Sequence, residues 1–240
     1  MLKTVEKAFQ VINLMTEERQ ELGVTEISNR LDMNNTTVYK ILSTLSKYNY
    51  ITQNTENSKY KLGLKFIEVG NVVIDQFELK ETAKPVMRSL MKETNETVNL
   101  MVRNDDYEGV YIDIVESSQS VRMVSSVGRS ELLHCSGVGK AIMAFLPEEE
   151  IDSIINKKGL PKIAPGTITD EKVLKEKLAK TRKRGYSIDD QESEQGIRCI
   201  GAPIFSHQGQ VIGAISVAGV VFRLSLEKLK DLAESVVSAA

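Results

Sequence analysis

An α+β architecture is what the sequence predicts: an N-terminal winged helix-turn-helix, a linker helix, and a larger C-terminal domain on a mainly antiparallel sheet. Three observations point there. Apolar residues in the first fifty positions recur at helical spacing, whereas after residue 96 the period changes to two. Between Asp32 and Glu56 the stretch MNNTTVYKILSTLSKYNYITQNT carries Lys40 and Lys47 but no carboxylate, in a chain with 33 acidic residues.

The elements follow in order. Val5, Ala8, Phe9, Ile12 and Met15 mark one face of a first helix, with Gly23 placed to close it. Val24, Ile27 and Leu31 predict a short second helix with Thr25 as its cap. Asn34 or Asn35 caps a third, whose buried stripe is Val38, Ile41, Leu42 and Leu45 and whose end falls near Asn49. Its opposite face presents Thr36, Thr37, Tyr39, Lys40, Ser43, Thr44 and Lys47, groups that donate to phosphate oxygens or reach base edges. A carboxylate there would repel a nucleic-acid backbone. ITQNT and SKYKLG, joined by the turn-forming ENS, predict a hairpin or wing bearing Lys59 and Lys61.

From Leu64 to about Leu79, LKFIEVGNVVIDQFEL is apolar most of the way round, so it needs cover on more than one side. A second subunit would supply it, and paired half-sites on DNA require dimers. ETAKPVMRSL starts another helix with Pro85 in its first turn. Strands follow at Val98–Val102 and Val110–Ile114, two more near Val121–Val127, then a helix near Gly139–Leu146. A helix from about Asp170 to Arg184 closes at Gly185. IRCIGAPIF and QVIGAISVAG read as strands, and LSLEKLKDLAESVV as a final helix capped by Ser225.

A length of 240 residues suits two domains, and a net charge of -2 decides nothing about nucleic acid, because the location of charge matters more than its sum. No apolar run approaches a membrane span and the N-terminus lacks a signal-peptide core, so the expectation is a soluble cytoplasmic protein with no membrane partner. Cys135 and Cys199 are too few for a disulfide scaffold. SGVGKAI fails as a phosphate loop, since the first glycine would fall at His134 and the final hydroxyl at Ala141, and it fails as a dinucleotide fingerprint at Ile142. It retains a helix start: Ser136 as cap, with the Gly137 and Val138 amides free to attract a small carboxylate. Asp189, Cys199 and Ser216 face the same pocket if their strands are neighbours. A hydrolase built from Cys199 with His207 or His134, and a metal site from His134, Cys135 and Cys199, are both poorly supported. No catalytic residue, cofactor or metal is expected.

Five segments in this order carry a resemblance: TTVYKILSTL, YKLG, LLHCSGVGKAIMAFLP, GYSIDDQESEQGIRCIGAPIF and GAISVAG. Across almost its whole length the chain resembles the IclR family of bacterial transcriptional regulators. The resemblance implies a DNA-binding domain over 1–62, a linker helix over 63–80 and a GAF-like effector-binding domain over 81–240. It implies a non-enzymatic repressor that binds double-stranded promoter DNA as a homodimer or homotetramer, with a small organic acid as effector. Carried over by position, the backbone amides of Gly137 and Val138 hold the effector's carboxylate, and Asp189, Cys199 and Ser216 line the other side. A serine common in the last motif is here Ala218, which favours a larger or less polar acid than the smallest keto acids. Asn49 replaces a frequent glycine. The competing reading is an enzyme or sensor module using the winged helix for protein interaction.

Overall fold

A computed structural model describes residues 2–240, which form two compact units meeting in sequence between Gln76 and Phe77. In the first, α1 (Lys3–Glu18), α2 (Val24–Leu31) and α3 (Asn35–Lys47) enclose Val11, Met15, Ile27, Val38 and Leu42. The inward face of α1 differs from the expected one. Val11 and Met15 are buried, while Val5 and Phe9 are 48% and 60% exposed. The helix carries two apolar stripes of equal spacing, and only the shape of its partners selects between them.

Helix α1 ends at Glu18 with Arg19 in the left-handed conformation. Gly23 instead precedes α2, where its amide donates to Glu26 Oε2 at 2.6 Å, so Thr25 lies inside the helix rather than capping it. The Asn34 side chain accepts from Thr37 N at 2.8 Å and caps α3, and Asn49 adopts φ 64° after it. β1 (Ile51–Gln53) pairs antiparallel with β2 (Tyr60–Leu62), and Leu22 exchanges 2.9 Å backbone bonds with Tyr60, adding a single-residue third strand to the wing.

The apolar run expected as one linker helix breaks in two. α4 covers only Lys65–Asp75, Phe77 is extended, and Glu78 and Leu79 open α5 (Glu78–Thr94). Pro85 therefore sits mid-helix, not in a first turn, and the ring removes the amide that would bond the carbonyl of Glu81. No residue of α4 is buried, and Ile67 and Val72 are more than half exposed.

The second unit holds a six-stranded sheet in the order β5-β4-β3-β8-β7-β6, every neighbouring pair antiparallel. These strands are β3 (Thr97–Arg103), β4 (Glu108–Val115), β5 (Ser130–Leu132), β6 (Ser187–Asp190), β7 (Ile197–Phe205) and β8 (Val211–Val220). Alternation sorts the side chains. Val98, Leu100, Ile200, Ile215 and Val217 pack with α5 and with α9 (Leu226–Asp231) and α10 (Ala233–Ala239). Met101, Tyr111 and Ala214 pack on the other face with α6 (Gly137–Met143), α7 (Glu148–Lys158) and α8 (Glu171–Arg184).

Strands expected near Val121–Val127 do not form. Val121 and Val124 are exposed there, and the edge of β4 is occupied instead by β5. α6 spans 137–143 rather than 139–146, the charged α7 has no counterpart among the expected helices, and the final helix divides at Leu232. Asp170 caps α8 by accepting from Val173 N at 3.0 Å, and Gly185 ends it at φ 81°.

Candidate nucleic-acid interface and effector site

On α3 the burial of Val38, Ile41 and Leu42 turns Thr36, Lys40, Ser43 and Lys47 outward as one ridge, with Tyr39, 57% exposed, on its flank. Thr37 lies on the other flank. Neither Lys40 nor Lys47 forms an ion pair among the described residues, and Lys47 Nζ stands 5.8 Å from the Tyr48 ring centre. The wing lysines, by contrast, are each paired with a carboxylate. Lys59 pairs with Glu26 at 2.9 Å and Lys61 with Glu21 at 3.6 Å. Glu21 also accepts from the side-chain amides of Asn54 and Asn57, each at 2.9 Å, which fastens the wing turn to the loop before α2. These partners lie more than thirty residues upstream, so no local pattern announced them. Beside the ridge, Val5, Phe9 and Ile12 of α1 and Phe66 and Val69 of α4 line an apolar groove of about 730 Å³.

In the second unit, strand register brings Asp189, Cys199 and Ser216 to one face. Asp189 pairs with Cys199, Cys199 with Ala218, and Ala218 with Thr97. The adjacent row runs Ser187, Gly201, Ser216, Asn99, Ile114. α6 rests directly on this face. A Cβ on Gly201 would lie 2.9 Å from the Gly137 carbonyl carbon, and one on Gly137 would lie 2.8 Å from Cys199 Sγ, so the start of α6 lies against the Gly201 backbone and the Cys199 side chain. The Ser136 hydroxyl accepts from Gly139 N at 3.1 Å, and the amides of Gly137 and Val138 have no acceptor within the helix. Ser187 Oγ donates to Gly137 O, and the buried Lys140 ammonium pairs with Glu192, tying α6 to the loop after β6. All five expected effector residues are buried.

Burial raises the Asp189 pKa, with Lys140 opposing that shift. Its carboxyl oxygens accept from Glu192 N at 2.6 Å and Ser193 Oγ at 2.7 Å, so it also holds the loop. Burial, reinforced by Asp189, pushes the Cys199 thiol up to about 12, which keeps it protonated and leaves it no nucleophile. His134 Nε2 is 3.1 Å from Pro161 O, and among the described residues no group of three or more His, Cys, Asp or Glu is placed to hold a metal. Sequence reasoning missed Asn99, Tyr111, Glu131, Lys140 and Glu192. The Tyr111 hydroxyl donates to Glu131, and burial raises the pKa of both. An asparagine within the apolar run VNLMV of β3, and a lysine in an otherwise apolar helix, were the available signals.

The family model of the IclR helix-turn-helix domain matches residues 4–55, and that of the bacterial transcriptional regulator IclR C-terminal domain matches residues 71–240. The chain belongs to the IclR family. Among IclR relatives, the HTH-type transcriptional regulator XynR of Escherichia coli K12 is 33% identical over 239 residues, covering 100% of this chain and 94% of the relative. The transcriptional repressor IclR of the same organism is 31% identical, covering 100% and 88%. The crystal structure of Thermotoga maritima IclR matches with TM-score 0.78 and 35% identity over 100% of this chain and 96% of that one. An IclR homolog from Microbacterium hydrocarbonoxydans, complexed with 4-hydroxybenzoate, shares the fold at TM-score 0.80 and 21% identity, covering 98% of each chain. This chain is thus a transcriptional regulator, not an enzyme, with a helix-turn-helix DNA-binding domain and a C-terminal effector-binding domain. Among the described residues no helix is long and apolar enough to cross a membrane.

Proposed function

We propose that this IclR-family regulator acts as a repressor of the promoter it binds, as a homodimer or a pair of dimers, with its DNA affinity set by a small organic acid. The observation that carries the effector reading is the shared face of Asp189, Cys199 and Ser216 beneath the start of α6. The Gly137 and Val138 amides hold the acid's carboxylate, and the three side chains line the opposite side. Ala218, between Cys199 and Thr97, contributes a methyl group where a hydroxyl would favour a very small, polar acid. A solved relative complexed with 4-hydroxybenzoate supports an acid of that larger size.

On the DNA side, Lys40 and Lys47 contact phosphates while Thr36, Thr37 and Tyr39 reach bases or position α3 in the major groove. Lys59 and Lys61 add a smaller electrostatic share, because each exchanges a carboxylate partner for a phosphate. A second copy of the chain covers the apolar side of α4 and the groove beside α1, which gives α4 the burial it lacks in one chain. The test is fluorescence anisotropy on DNA upstream of the protein's own gene, across salt concentrations, with a panel of organic acids. Salt-dependent binding shifted by one acid is expected; affinity equal to that for random DNA, unmoved by every acid, would overturn the reading.

A further inference from the structure

Asn99 lies beside Ser216 in the polar row on the proposed effector face, and its amide is unfinished. The residue is 1% exposed, and among the described residues Oδ1 has no hydrogen-bond partner. Its Nδ2 reaches only Ser216 Oγ, at 3.5 Å, the outer limit of a hydrogen bond. Burying an amide oxygen without a partner is costly, so native interiors pair almost every such atom, with protein, water or ligand.

Its surroundings leave few internal candidates for that role. Across β3 and β8 its direct neighbour is Ser216, and across β3 and β4 it is Ile114, which offers no polar side-chain atom. Along β3 the residues on the same face are Thr97 and Met101. The Thr97 hydroxyl is already committed, donating to Met123 O at 3.2 Å and accepting from Ser117 N at 3.3 Å. Elsewhere on this face, the Tyr111 hydroxyl is spent on Glu131. One row of the sheet therefore carries a half-satisfied amide beside a serine.

We propose that Asn99 is a specificity-determining residue that selects an organic acid carrying a hydroxyl group. The inference rests on the reading that this face holds the acid effector. A hydroxyl both donates and accepts, so it completes the amide whichever way its oxygen and nitrogen are turned, whereas a keto or alkyl group does not. Gly201, in contact with α6, and Asn99 are separated by two strand spacings, about 10 Å. The hydroxyl therefore sits several bonds from the carboxyl rather than on the adjacent carbon.

Calorimetric titration of the full chain with matched pairs, 4-hydroxybutyrate against butyrate and 4-hydroxybenzoate against benzoate, tests this. The hydroxylated member of at least one pair is expected to bind about tenfold tighter or more, since a site built around a polar partner rejects the analogue that lacks it. In Asn99→Leu that gap closes while the deoxy acid still binds. Asn99→Ser, smaller and still polar, serves as a second variant, and a cooperative thermal transition identifies which variant is folded. Acids that bind with no hydroxyl preference, or a preference that survives in both folded variants, would overturn the role of Asn99 alone. Failure of all four acids to bind would overturn the effector reading and this inference with it.

Discussion

Lys40 carries its charge on the exposed ridge of α3 without a carboxylate to occupy it, unlike Lys59 and Lys61. Lys40→Ala is therefore expected to lower DNA affinity and to reduce the slope of log affinity against log salt by about 0.9 per subunit, measured by anisotropy. Lys61→Ala should change that slope less, because Lys61 already shares its charge with Glu21. Glu131 offers a pH test. Burial raises its pKa in the folded chain, so its contribution to stability is present below the ordinary glutamate value and is lost as pH rises through the raised one. Glu131→Gln keeps an acceptor for Tyr111 and cannot ionise. The variant should melt above the parent at mildly alkaline pH, with the gap closing in acid; a gap constant with pH would show that ionisation of Glu131 is not its source.

Elements with a strong local signature were legible in the sequence, and those defined by distant partners were not. α3, α8 and the strand pairs announced themselves through caps, periodicity and turn residues. Asn34 illustrates why: its cap bond is made within three residues, and Asn34→Ala should cost the first unit about 1 kcal/mol, read by thermal or denaturant unfolding. The break between α4 and α5 carries no Gly or Pro, and Pro85 pointed to the wrong place because α5 tolerates it mid-helix. The valines of 121–127 satisfied a strand pattern, but the edge of β4 is taken by β5 instead. In the proposed effector site, register could be guessed from alternation, which is how Asp189, Cys199 and Ser216 were expected on one face. The Lys140–Glu192 pair could not, since its members are 52 residues apart. Lys140→Met should destabilise the second unit by about 3–5 kcal/mol, because it leaves Glu192 buried without its cation.

For the whole molecule, the proposal that a second copy covers the apolar residues of α4 and the groove beside α1 makes assembly a condition of DNA recognition rather than an addition to it. Val69→Glu places a charge in that groove and should shift the protein toward monomer in sedimentation, with operator affinity falling in parallel. A dimer that survives this change would move the interface elsewhere. The close seating of α6 on β7 bears on how such a regulator diversifies among relatives. Gly137 and Gly201 admit no side chain, and Ser187 is engaged below the same turn. Half of the proposed effector site is thus closed to added side chains, and a change of ligand preference would be written on the β3 and β8 side, at positions 99, 216 and 218.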